Sequence, residues 1–94
     1  MEIEYDADKR DQVFAERGLD MAAAGEVFDG YHLTRFDAKH SEDEDRYHSI
    51  GMLASDVVIV TWTQRKNLRR IITMWKANDR ERQKYHEARE RDGG

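Results

Sequence analysis

Cysteine and proline are both missing from this 94-residue chain. Without cysteine there is no disulfide framework, no thiolate nucleophile and no thiolate metal site, and cytoplasmic residence is the expectation. Without proline, turns must rest on Gly, Asn, Asp and Ser. No apolar run approaches the roughly 18 residues that would suggest a membrane span. The opening MEIEYDADKRDQ lacks the basic-then-apolar order of a secretory signal. The four histidines are scattered, with no His-x3-His pair for a helix face. The EDED run lacks the glycine and the distant glutamate of a calcium loop. No metal or other cofactor is therefore expected.

What the chain does have is charge, unevenly spread. Residues 1–47 carry 6 Lys/Arg against 14 Asp/Glu, or −8, and residues 48–94 carry 10 against 6, or +4, which together make the overall −4. An acidic front and a basic back leave one side available to phosphate. The same pattern is also compatible with charge that only keeps a small domain soluble.

Hydropathy divides the chain into short elements of one domain, residues 1–94, with a fraying tail from about residue 90. MEIEY alternates as a half-buried strand with Ile3 and Tyr5 on one side. Asp6 caps a helix that stops at Gly18, and Asp20 caps a second helix, MAAAGEVF, with Met21, Ala24, Val27 and Phe28 on one stripe. YHLTRF alternates as a strand, and DAKHSEDED is a loop by composition. RYHSIGML, then ASDVVIVTWT, then LRRIITMW complete a meander, with QRKN as a turn. The β-branched VVIV implies burial on both faces. Asn78 and Glu81 form a capping box for a final polar helix in which only Tyr85 and Ala88 make a stripe. The order β-α-α-β-β-β-β-α predicts an α+β fold, a small antiparallel sheet with helices on one face.

Along nearly its whole length this pattern resembles the BrnT family, ribonuclease toxins of a bacterial type II toxin–antitoxin system with a RelE-like fold. The resemblance rests on Tyr5, Asp6 and Lys9; on Glu16-Arg17-Gly18 where the family has Lys-His-Gly; and on Val27-Phe28-Asp29. It continues through Asp37, His40-Ser41-Glu42, Glu44, Arg46 and Ile50-Gly51. It ends in Arg70-Ile71-Ile72-Thr73-Met74-Trp75, where the family closes on arginine, and in Arg80-Glu81-Arg82 with Tyr85. It implies an endoribonuclease toxin that cleaves RNA without metal. The implied partner is a BrnA-type antitoxin with a ribbon-helix-helix domain, and the complex would repress its own operon by binding operator DNA through the antitoxin. The changes at Arg17 and Trp75 leave open a second reading, a catalytically weak or inactive binding module within the repressor complex.

Such cleavage needs a base for the 2′-hydroxyl, cations for the phosphorane oxygens and an acid for the leaving oxygen. The resemblance assigns phosphate contacts to Arg46, Arg70 and Lys9; His40 matches its pattern and suits either proton transfer or a plain surface position, His48 follows on a strand, and Tyr5 or Tyr85 could donate a proton only with a lowered pKa. Arg46 follows an acidic run and is equally suited to an internal salt bridge. Strict alternation puts Arg69, Ile71, Thr73 and Trp75 on one strand face and Arg70, Ile72 and Met74 on the other. Arg17, Arg69, Thr73, Trp75 and Lys76 are the expected RNA-binding residues. Trp75 fits either base stacking or a sheet-end cover for the core.

Overall fold

The computed structural model describes residues 2–93; Met1 of the expected first strand and Gly94 of the expected tail lie outside them. Strand β1 (Glu2–Tyr5) leads into helix α1 (Ala7–Arg17), a single 3-10 turn (Met21–Ala23) and the short helix α2 (Gly25–Asp29). Strand β2 (His32–Phe36), a second 3-10 turn (Ala38–His40), and strands β3 (Arg46–Leu53), β4 (Asp56–Arg65) and β5 (Leu68–Lys76) follow, and helix α3 (Asp79–Arg91) closes the chain. The α+β class is as expected. No helix among the described residues is long and apolar enough to cross a membrane.

Local chemistry explains the helix ends. The Asp6 side chain accepts the Lys9 N–H at 2.9 Å, and Gly18 ends α1 in the left-handed region at φ 69°. Asp20 caps the first 3-10 turn and receives a forked pair of bonds from Arg10 at 2.7 and 3.0 Å. That bond, with the Ala22 N–H, pulls the Asp20 carboxyl down to about 2. Asn78 and Glu81 make the capping box of α3. The expected four-residue turn QRKN is tighter: Gln64 and Arg65 belong to β4, and Lys66 turns the chain at φ 54°.

The sheet has five strands in the order β1-β5-β4-β3-β2. β2 to β5 form the antiparallel meander, but β1 lies parallel to β5, so the sheet is mixed rather than antiparallel. β1 thereby covers part of the edge of β5 while burying Ile3 and Tyr5 against the core.

The helices also differ from the expected arrangement, since they lie on both faces. On one, Val13 of α1, Met21, Ala24 and Val27 pack with Val58, Val60, Trp62, Ile71 and Met74. On the other, Tyr85 of α3 packs with Val57, Ile59 and Ala77. The cause is the doubly apolar β4: alternate residues of VVIV point to opposite sides, and each side needs a cover. Tyr85 donates a hydrogen bond to the Tyr31 carbonyl at 2.9 Å, which pins α3 at one end of its face. Among the described residues no other helix packs on that face. Gly51 of β3 is required by close approach, since a Cβ there would lie 2.9 Å from Val27 Cγ1.

One irregularity decides the site. Thr61 pairs with Thr73, but Trp62 pairs with Ile71, so Ile72 is an extra residue in β5, a β-bulge. Across a bulge the alternation of faces slips by one residue. Ile71 and Met74 consequently both enter the α1–α2 core. The strict alternation expected for residues 69–75 therefore fails: Arg70, Thr73 and Trp75 share the open face, and Arg69 turns to the other.

Candidate active site

The open face is built in cross-strand rows. The first runs Arg46–Thr63–Arg70, with Glu4 of β1 next to Arg70. The second runs Arg35–His48–Thr61–Thr73. The third, Leu33–Ile50–Ile59–Trp75, borders α3, and its Ile50, Ile59 and Trp75 pack in the Tyr85 cluster. Adjacent strands lie about 4.8 Å apart, so the Cα atoms of Arg46 and Arg70 flank Thr63 at roughly 10 Å from each other. Rows follow one another at roughly 7 Å.

The two arginines of the first row differ in their surroundings. Arg70 is one-third exposed and stands 3.8 Å from Glu4, a loose pair that contributes about 0–1 kcal/mol at most. Arg46 has a buried Nε that donates to nothing among the described residues. It does not pair with the acidic loop in the way its position suggested; Glu44 is held instead by Arg65 at 2.9 Å. Thr63 between them is buried and donates to the Asp45 carbonyl at 2.7 Å.

Arg17 joins the second row from outside. β1 stops pairing at Ile71, so the outer edge of β5 is uncovered beyond it. Arg17, at the end of α1, donates there to Thr73 Oγ1 and to the Met74 carbonyl, both at 3.0 Å. Trp75 is half-buried and its ring meets the His48 ring edge-on at 5.7 Å.

The remaining expected site residues stand elsewhere. Arg69 lies on the α1–α2 face, its guanidinium 4.0 Å from the Phe28 ring centre and 4.9 Å from that of Trp62. Desolvation there pushes its pKa down. Lys76 follows Trp75 on the opposite face and lies 3.7 Å from Asp56. Lys9 is in the first turn of α1, one helical turn before the buried Val13.

Sequence reading passed over Asp37 as a functional group. Asp37 is buried, at 9% exposure, and its Oδ2 receives His40 Nδ1 at 3.0 Å and His48 Nε2 at 2.9 Å. The other ring nitrogen of His48 meets Thr61 Oγ1 at 2.9 Å. A carboxylate, two imidazoles and a hydroxyl thus tie the loop to central β4. The signals available were the Asp37–His40 spacing of three and the parity that sets His48 beside Arg46 on one strand face. His40 and Arg46 also line one open hollow of about 310 Å³, together with Lys39 and the acidic Glu42, Asp43 and Glu44.

Burial alone would raise the Asp37 pKa, but hydrogen bonds from His40 and His48 outweigh it and hold the carboxyl below its ordinary value. A depressed folded value stabilises the fold above the ordinary Asp range of about 4, and that stabilisation is lost as pH falls through the folded value. Hydrogen exchange of the amides of residues 37–46 should show this: protection falls on acidification in the natural protein and is lower and less pH-dependent in Asp37→Asn.

Over residues 5–81 the chain matches the model of a family described as the ribonuclease toxin, BrnT, of type II toxin–antitoxin systems. No curated protein matches it.

Proposed function

Since the chain belongs to the BrnT family of ribonuclease toxins of type II toxin–antitoxin systems, we propose that it is an endoribonuclease that cleaves RNA on the open sheet face without a metal ion. The observation that carries this reading is the row Arg46–Thr63–Arg70, two arginines set on the two sides of Thr63 on one sheet face. A phosphate between them is matched by the planar guanidinium fork, which pairs with its oxygens. The 2′-oxygen attacks the adjacent phosphorus, its proton passing to a base. The bond to the 5′-oxygen breaks, and that oxygen takes a proton from an acid. The products are a 2′,3′-cyclic phosphate and a 5′-hydroxyl end. Arg46 and Arg70 offset the charge that grows on the phosphorane, Arg17 and Thr73 bound the pocket on one side, and Trp75 offers a ring for a base.

The family also implies an antitoxin. In this reading it is a BrnA-type ribbon-helix-helix protein that covers the open face, and the pair binds operator DNA and represses its own synthesis. A RelE-like arrangement is in keeping with the five-stranded sheet. Trp75, in contact with His48 where the family has an arginine, favours a second reading: a weak or inactive module that acts only inside the repressor complex. Expression in a bacterial host separates the two. Growth arrest that co-expressed antitoxin relieves is the expected result; indifferent growth with soluble protein supports the module.

A further inference from the structure

The second imidazole on Asp37, that of His40, has a property His48 lacks. Both ring nitrogens of His48 are occupied, one by Asp37 and one by Thr61. His40 spends only Nδ1 on the protein and its side chain is 57% exposed. An ionised carboxylate accepts and cannot donate, so each ring nitrogen against it must carry hydrogen. For His40 that fixes the Nδ1–H tautomer and leaves the Nε2 lone pair free.

We propose that Asp37 is a positioning residue for His40, holding its imidazole in the Nδ1–H form so that Nε2 takes the proton of the attacking 2′-hydroxyl. The proposal rests on the ribonuclease reading for its chemistry. Its geometry is independent of that reading. Asp37 Oδ1 also accepts the His40 backbone N–H at 3.3 Å, so one carboxylate grips both ends of the residue. His48, braced on Thr61, then fixes that carboxylate relative to β3, β4 and the row of Arg46 and Arg70. A base on a surface loop thereby acquires the rigidity of the sheet, as proton transfer at a defined atom requires. His40 lines the same hollow as Arg46, the cation assigned to phosphate. The step balances: the proton leaves the 2′-oxygen for Nε2 while that oxygen forms its bond to phosphorus. The imidazolium that results carries N–H on both nitrogens, with Asp37 still accepting from one.

The titratable and charged groups around His40 are Asp37, His48, Lys39, Glu42, Asp43, Glu44 and Arg46. Among them Asp37 alone accepts a hydrogen bond from the imidazole among the described residues. Nitrogen-15 NMR of the imidazoles reads the tautomer in the natural protein, without any variant. The expected result is His40 as Nδ1–H, moving toward Nε2–H in Asp37→Asn. In single-turnover cleavage of a synthetic RNA, Asp37→Asn should be slower by about a hundredfold, and His40→Ala at least as slow. His40 as Nε2–H in the natural protein overturns the proposal, as does a folded Asp37→Asn with an unchanged tautomer or an unchanged rate. Absence of cleavage by the natural protein instead overturns the ribonuclease reading and the catalytic role with it, while the tautomer measurement still tests the geometry.

Discussion

Replacing Arg70 with alanine should slow single-turnover RNA cleavage by about two to three powers of ten, the usual cost of losing one preorganised charge from a transition state. The structure makes the substitution a clean one. Arg70 is one-third exposed, and its protein partner is Glu4 at 3.8 Å, so its loss costs the fold little. The bulge at Ile72 brings Arg70 onto the face of Arg46, Thr73 and Trp75 and separates it from Arg69. The loss should appear mainly in the rate of the chemical step, because the phosphorane carries more charge than the ground-state phosphate. Arg70→Lys restores a charge without the planar fork and should recover only part of the rate. Arg69→Ala should leave the rate close to natural while lowering stability, since Arg69 lies between Phe28 and Trp62. Equal effects at the two neighbouring arginines would contradict the face assignment.

The largest effect on stability should come from Trp62→Ala, about 3–5 kcal/mol. Trp62 is 8% exposed. Its ring stacks on Tyr47 at 4.9 Å and 28°, and meets Phe28 edge-on at 5.8 Å. It also lies under Arg69 at 4.9 Å. Its Nε1 donates to Ser49 Oγ at 2.8 Å, and that hydroxyl pairs with Thr34 at 2.7 Å. Truncation removes the packing and leaves a wholly buried serine short of a partner, so transfer, cavity and unpaired-polar costs all act in one direction. For a domain of this size each kcal/mol moves the melting midpoint by about 4–8 °C, so a drop of about 12 °C or more is expected. Trp75, half-buried at the end of β5, should cost far less when truncated and should instead weaken RNA binding. The two tryptophans of the chain thus separate stability from function, and thermal melts of the two alanine variants would read the difference.

Most elements were legible because local chemistry sets them. Asp6, Gly18, Asn78 and Glu81 bound their helices as their side chains dictate, and VVIV is buried on both faces as its composition requires. Three features were hidden by their distance along the chain. The parallel pairing of β1 with β5 joins residues more than sixty positions apart, and nothing in MEIEY states its partner. The second helical face follows from the doubly apolar β4, yet the sparse stripe of α3 does not say which side it covers. The bulge is the most consequential. Residues 69–75 read as strand by their β-branched and aromatic content, and only the pairing with Thr61 and Trp62 exposes Ile72 as the extra residue. The register brings Arg46, Arg70, Thr73 and Trp75 onto one face with Arg17 at its edge, where strict alternation had set Arg70 apart from Thr73 and Trp75, whereas Arg69 and Lys76 fall on the other face. Asp37 escaped because a carboxylate in an acidic, polar loop looks solvated in sequence. It is buried in the fold and hydrogen-bonded to two histidines, one of them eleven residues away.

The chemistry of the cut ends offers the sharpest test. A synthetic RNA and its copy with 2′-deoxyribose at the cleavage position would be incubated with the purified protein in chelator, and the products mapped by mass spectrometry. Attack by the 2′-hydroxyl between Arg46 and Arg70 should leave a 2′,3′-cyclic phosphate and a 5′-hydroxyl, with the deoxy substrate intact. Ends bearing 3′-hydroxyl and 5′-phosphate, or cleavage of the deoxy substrate, would mean that water attacks the phosphorus, and the reaction assigned to this sheet face would be wrong.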